Sequence, residues 1–135
     1  MKYSPSNSEL ENYLKLSKEE RFNYCLVRIT EAEEVWGLAE PQGWIINEVE
    51  EQATLPIWPY QQFAVNSARK PWQDASPQAI SLEHFVYKVS QLLIDNGILV
   101  EIFPTATQPG HVIEAKAFFN ILENMMESGE YFMEG

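Results

Sequence analysis

The stretch Thr54-Leu55-Pro56-Ile57-Trp58-Pro59-Tyr60-Gln61-Gln62-Phe63-Ala64 decides how the rest of the chain is read. Its first five residues form an apolar run of strand formers, and Tyr60, Phe63 and Ala64 then fall on one side of a helical pattern. Proline has no amide donor and a fixed φ, so Pro56 puts the strand at an edge or an irregularity, and Pro59 suits the first helical position. A strand over 54–58 is thereby clamped to a helix start.

Toward the amino end, Ser8-Glu9-Leu10-Glu11 and Ser17-Lys18-Glu19-Glu20 each set a Glu three residues after a Ser. At that spacing hydroxyl and carboxylate satisfy two amide donors of a helix start. The second helix carries Phe22, Cys25, Leu26 and Ile29 on one face, which should meet the core. Val35 to Ala39 and Trp44 to Val49 flank the turn Glu40-Pro41-Gln42-Gly43. A loop of Pro41 to Gly43 sets Leu38 opposite Ile46. It turns Trp36, Leu38, Trp44 and Ile46 to the helices, and Val35, Gly37, Ala39, Ile45, Asn47 and Val49 away from them.

Toward the carboxyl end, residues 71–78 read as a loop because Pro71, Pro77 and small polar residues break any period. Ser81 caps a helix with an apolar stripe of Leu82, Phe85, Val89, Leu92 and Leu93, stopped by Asn96-Gly97. Residues 98–103 read as a central or near-central strand ended by Pro104, and His111 to Glu114 as a short return strand. The last helix buries Ala115, Phe118, Phe119, Leu122 and Met126. The order predicts an α+β fold in which about five helices pack on a mostly antiparallel sheet of about five strands, made of the hairpin, the Pro-clamped strand and a C-terminal pair. A chain of 135 residues, 45% hydrophobic, suits one domain with residues 1–7 and 129–135 as flexible tails.

Trp36, Gly43-Trp44, Leu55-Pro56-Ile57-Trp58-Pro59, Ser81-Leu82-Glu83-His84-Phe85 and Gly97-Ile98-Leu99-Val100, ending in Phe103-Pro104, follow one another in an order that resembles the bacterial "domain of unknown function 2750" family. The resemblance implies a fold and a bacterial cytosolic setting. It brings no activity, cofactor or catalytic residue with it.

Nine basic against twenty acidic residues give a net charge of −11. Such a field repels nucleic-acid phosphates and anionic lipid and concentrates cations and basic partners, so neither nucleic acid nor membrane is an expected partner. A lone Cys25 cannot form an intrachain disulfide and fits a reducing compartment. The first residues carry no apolar signal core, and no run has membrane-spanning length, which points to a cytoplasmic protein.

No nucleophile with its base, no zinc spacing and no Gly-rich phosphate cradle stands out, so no catalytic residue, metal or cofactor is expected. His84 shares a polar helix side with Lys88, Gln91 and Asp95, and His111 opens a strand. The hairpin register brings Glu34 opposite Glu50, with Glu31, Glu33, Glu48 and Glu51 nearby. Like charges so placed splay into water, hold a hard cation or dock a basic protein. Trp58, Pro59, Tyr60 and Trp72 converge as either core fillers or a ligand groove. Met125, Met126, Tyr131, Phe132 and Met133 suit internal packing or a second subunit, which makes a homodimer a candidate. The leading functional expectation is a small acidic protein-binding module without catalytic activity. The alternatives are an immunity-like inhibitor of a basic toxin or nuclease, and a divalent-metal-assisted hydrolase using the carboxylates between Glu31 and Glu51.

Overall fold

The structure is a computed structural model and describes residues 4–41, 43–49, 51–68 and 74–128. In chain order the elements are α1 (Asn7–Asn12) with a 3-10 turn (Tyr13–Lys15), α2 (Lys18–Ala32), β1 (Glu34–Glu40), β2 (Gly43–Trp44), β3 (Asn47–Val49), β4 (Gln52–Ile57) and α3 (Gln61–Asn66). They continue with β5 (Ser76–Ser81), α4 (Leu82–His84), a π-helical stretch (Phe85–Val89), α5 (Ser90–Asp95), β6 (Leu99–Ile102), β7 (His111–Ile113) and α6 (Ala115–Ser128). α4, the π stretch and α5 run on as one helix.

The expected α+β class, with mostly antiparallel pairing, is what the chain adopts, but its strands divide into two sheets. One is ordered β2-β1-β5 and the other β3-β4-β6-β7, with β4 and β6 parallel. Trp36 and Trp58 join the sheets by exchanging two backbone hydrogen bonds of 3.0 and 2.8 Å. No helix among the described residues is long and apolar enough to cross a membrane.

The hairpin differs from its expected register by one residue. Glu40 pairs with Gly43 and Ala39 with Trp44, and the Ile45 amide donates to the Leu38 carbonyl at 2.8 Å. Ile45 is therefore buried, and Ile46 is 43% exposed. Trp44 decides the register: its ring lies over Gly37, where an added Cβ would stand 2.7 Å from it. The expected second strand also breaks, with Asn47–Val49 crossing to pair with β4.

Residues 71–78 are not all loop, because β5 begins at Ser76 and pairs along the whole of its length with β1. Leu82 donates to the Glu33 carbonyl, so by strand alternation Ile80, Gln78 and Ser76 turn their amides toward β1, and Pro77 turns its donorless nitrogen to the outer edge. Pro56 is accommodated in the same way. Phe103 donates to the Ile57 carbonyl, so Leu55 and Ile57 face β6, and Pro56 faces away from it, beyond the point where β3 pairing ends at Thr54.

Ser17 and Glu20 form the expected capping box, while α1 starts from Ser6 instead of Ser8: Ser6 Oγ accepts from the Glu9 amide at 3.1 Å and Glu9 Oε1 from the Ser6 amide at 2.8 Å. Both serines fit the local pattern; the reach of Glu9 Oε2 to Arg28 favours the first. Pro59 lies before the helix cap, since Tyr60 stays extended at φ −141° and ψ 154° and helical residues begin at Gln61. In the long helix the π stretch turns fewer degrees per residue and so rotates the following face. Leu92 is left 62% exposed, and Val86 and Ser90 are buried alongside Leu82, Phe85 and Leu93.

Candidate functional site

Trp58 and Tyr60, two of the aromatic residues singled out above, are core. Trp58 is 0% exposed and its indole N–H donates to the Pro104 carbonyl at 2.8 Å; Pro59 and Tyr60 are buried beside it, so these three form no open groove. Trp72 lies outside the described residues, as does Glu50. Glu34 sits opposite Ser81 in one sheet and Glu48 opposite Ala53 in the other, while Glu51 occupies the turn between β3 and β4 with φ +68°. Asn47–Val49 pairs with β4 rather than with β1, and no three His, Cys, Asp or Glu among the described residues are grouped to hold a metal. Cys25 is fully buried, and burial pushes its thiol well above the usual range, which keeps it un-ionised and unreactive. His84 is exposed, and His111 packs against the Phe22 ring at 4.5 Å.

Two charged side chains not singled out by the sequence pattern lie in the interior. Arg21 is 1% exposed and donates from Nε to Phe103 O (2.9 Å), from Nη1 to Leu16 O (2.9 Å) and Gln108 Oε1 (3.0 Å), and from Nη2 to Pro109 O (2.8 Å). None of these acceptors is a carboxylate. Burial lowers its pKa from the ordinary value, yet a guanidinium remains charged at neutral pH. Glu101, on β6 and also 1% exposed, accepts the Gly110 amide on Oε2 at 2.9 Å. The Pro109 carbonyl and the Gly110 amide belong to one peptide unit, so that unit bridges guanidinium and carboxylate. Gly110 is required there because a Cβ would stand 2.3 Å from the Ile102 carbonyl oxygen. Phe103, at φ +57°, opens this loop, and Thr105 Oγ1 accepts from the Gln108 amide at 3.0 Å inside it. The result is a clasp that holds residues 103–110 while 106–109 stay exposed.

A second polar group ties α1 to α2. Arg28 pairs with Glu9 at 2.6 Å and Glu31 at 3.1 Å and lies 5.2 Å from the Tyr24 ring centre. Burial first, and then the charge of Glu9, push the Tyr24 phenol well above its ordinary value. A cleft of about 230 Å³ lined by Ser8, Glu9, Asn12, Tyr13, Leu16 and Tyr24 opens beside it.

The most open chemistry lies where the long helix meets α6. Tyr87 is 47% exposed and stands edge-on to Phe119, with ring centres 6.1 Å apart at 82°. Glu83 precedes Tyr87 by one turn, and Glu123 and Glu127 follow Phe119 by one and two turns. Local desolvation, and then the fields of Glu123, Glu127 and Glu83, raise the Tyr87 phenol pKa. A depression of about 140 Å³ is lined by Val86, Tyr87, Ser90, Gln91, Ile94 and Phe119. A neighbouring one of about 320 Å³ is lined by Glu33, Ser81, Leu82, Glu83 and Met126.

The chain matches the family model described as "Protein of unknown function (DUF2750)" over residues 22–122. The protein belongs to the DUF2750 family. No curated protein and no solved structure gives a significant match. The DUF2750 span includes Trp58, Tyr87, Glu101, Gly110 and Phe119; Arg21 lies just before it, and Glu123 and Glu127 just after.

A trace of the seam was present in the sequence, since Glu83-Tyr87 and Phe119-Glu123-Glu127 each repeat at four residues. Each set alone reads as an ordinary solvated helix face. Only the packing of the π stretch on α6 brings them together. The clasp had no local signal, because Arg21 lies 80 positions from Glu101 and meets it only through a third segment.

Proposed function

We propose that this DUF2750 protein is a non-catalytic binding module that captures a basic, amphipathic segment of another protein on the seam between the long helix and α6. The observation that carries the reading is the exposed Tyr87–Phe119 pair set among Glu83, Glu123 and Glu127. Ring faces attract a lysine or arginine head, nearby carboxylates neutralise it, and the depression lined by Val86, Ile94 and Phe119 accepts aliphatic stems. The net charge of −11 adds a long-range field that speeds encounter with a cationic partner. An inhibitor of a basic toxin or nuclease is one form this capture could take. Glu34 and Glu48, two carboxylates of the hydrolase alternative, lie in different sheets, which favours the binding reading.

The test is fluorescence anisotropy with a labelled lysine–leucine amphipathic peptide and its glutamate–leucine counterpart. The expected result is binding of the first only, weakening steeply with salt. Tyr87→Ala and Glu123→Gln/Glu127→Gln should abolish it, and Glu48→Gln/Glu51→Gln, which removes equal charge elsewhere, should not. Equal losses in the two double variants would reduce the effect to net charge and sink the assignment to this seam.

A further inference from the structure

We propose that residues 7–16 form a strap whose docking locks the 103–110 loop, the two segments being coupled through Arg21 and Tyr13.

Two separate links join them. The Arg21 guanidinium donates at once to Leu16 O at the end of the strap and to Phe103 O, Gln108 Oε1 and Pro109 O of the loop. The Tyr13 ring stacks on Phe103 at 5.8 Å and 22° and also contacts Phe63 at 4.8 Å. Phe103 is the loop residue held in the left-handed backbone region, a conformation that a bulky side chain keeps only when its surroundings impose it. Tyr13 and Arg21 supply part of that constraint.

The strap itself is lightly held. α1 fully buries none of its own residues and is held by the half-buried Leu10 and the partly exposed Glu9–Arg28 pair, so it belongs to the low-stability end of the molecule. When it lifts, Arg21 loses one acceptor within a buried site and Phe103 loses one ring face. The most direct relief for both is movement of the loop, which also releases the Pro109–Gly110 peptide from Glu101. Coupling of this kind is reciprocal, so whatever holds the loop must also hold the strap.

Amide hydrogen exchange followed by NMR on the full chain tests this. The Leu10 and Leu16 amides report the strap; Thr105, Gln108 and Gly110 report the loop; Ile45 and Leu82 serve as distant references. In Tyr13→Ala the strap and loop amides should both exchange about tenfold faster or more, with the references unchanged. Glu9→Gln, which removes the charge of the tether to Arg28 and keeps an oxygen able to accept the Ser6 amide, should move the same two sets together and keeps the test decisive if Tyr13→Ala unfolds the chain. Gln108→Ala should loosen the strap from the loop side. Strap amides that quicken while loop amides stay protected overturn the proposal, as does a Gln108→Ala protein with an unaltered strap or a Glu9→Gln protein in which neither set responds.

Discussion

The clasp around Arg21 and Glu101 and the seam around Tyr87 use charge in opposite ways. In the clasp, Arg21 and Glu101 are withdrawn from water: the guanidinium donates to three backbone carbonyls and to Gln108, and the Glu101 carboxyl accepts one backbone amide on Oε2 while its buried Oε1 has no partner among the described residues, so they fix where the chain runs. At the seam, three carboxylates surround an aromatic pair that water still reaches, and apart from the Glu123 bond to the Tyr87 hydroxyl their charge faces outward. Burying charged groups is a costly way to gain stability, but once they are buried the loss of a partner is strongly penalised. Exposed charges contribute little to stability and much to encounter. The difference teaches that charge density alone does not mark a binding site; the surroundings decide whether it is already committed.

The sharpest way to break the contrast is at the clasp. Gly110→Ala forces a methyl into the Ile102 carbonyl and should cost about 4 kcal/mol or more, or prevent folding, in urea denaturation. Trp58→Ala, which empties the centre beside the same loop, should cost about 3–5 kcal/mol. Arg21→Met or Glu101→Gln alone should each cost about 3 kcal/mol, and the double variant less than the sum, because both side chains act on the same Pro109–Gly110 peptide. Additive losses would show that the bridging peptide does not couple them.

Alkaline pH sharpens the comparison more gently. The folded pKa of Tyr24 lies above the unfolded value of 10.0, with burial as the first cause, so its contribution is complete below pH 10 and is lost as pH rises through the folded pKa. Tyr24→Phe should flatten the fall in Tm above pH 10. Tyr87→Phe, at the exposed seam, should flatten it less. The smallest effect belongs to Tyr87→Ala, expected to leave Tm unchanged while removing peptide binding; a large drop in Tm would make the seam structural.

Much of the scaffold was legible because it rests on local rules. The Ser17 box, the Gly97 stop at φ +67° and the buried face of Cys25, Leu26 and Ile29 each follow from residues within two turns of one another. The errors arose where a distant partner chose among local options of similar merit. A glycine across the ladder set the register of Trp44, and Arg28 selected Ser6 as the cap. Pro77 counted against a strand only because the side its nitrogen would face could not be known. The site residues were harder still, since Tyr87 and Phe119 meet across two helices and the buried role of Arg21 depends on a loop more than eighty residues away.

Pro77 has one more consequence, for how copies of the molecule behave when crowded. The outer edge of β5 is the longest unpaired strand edge among the described residues, the kind of surface on which another chain can template an added strand. With a proline ring where a donor should stand, a second strand laid there would meet a gap in its ladder and a bulky obstacle together. The three-stranded sheet therefore ends in a surface that resists growth into fibrils, and Pro77→Val would restore a continuous edge and with it a route to strand-by-strand polymerisation.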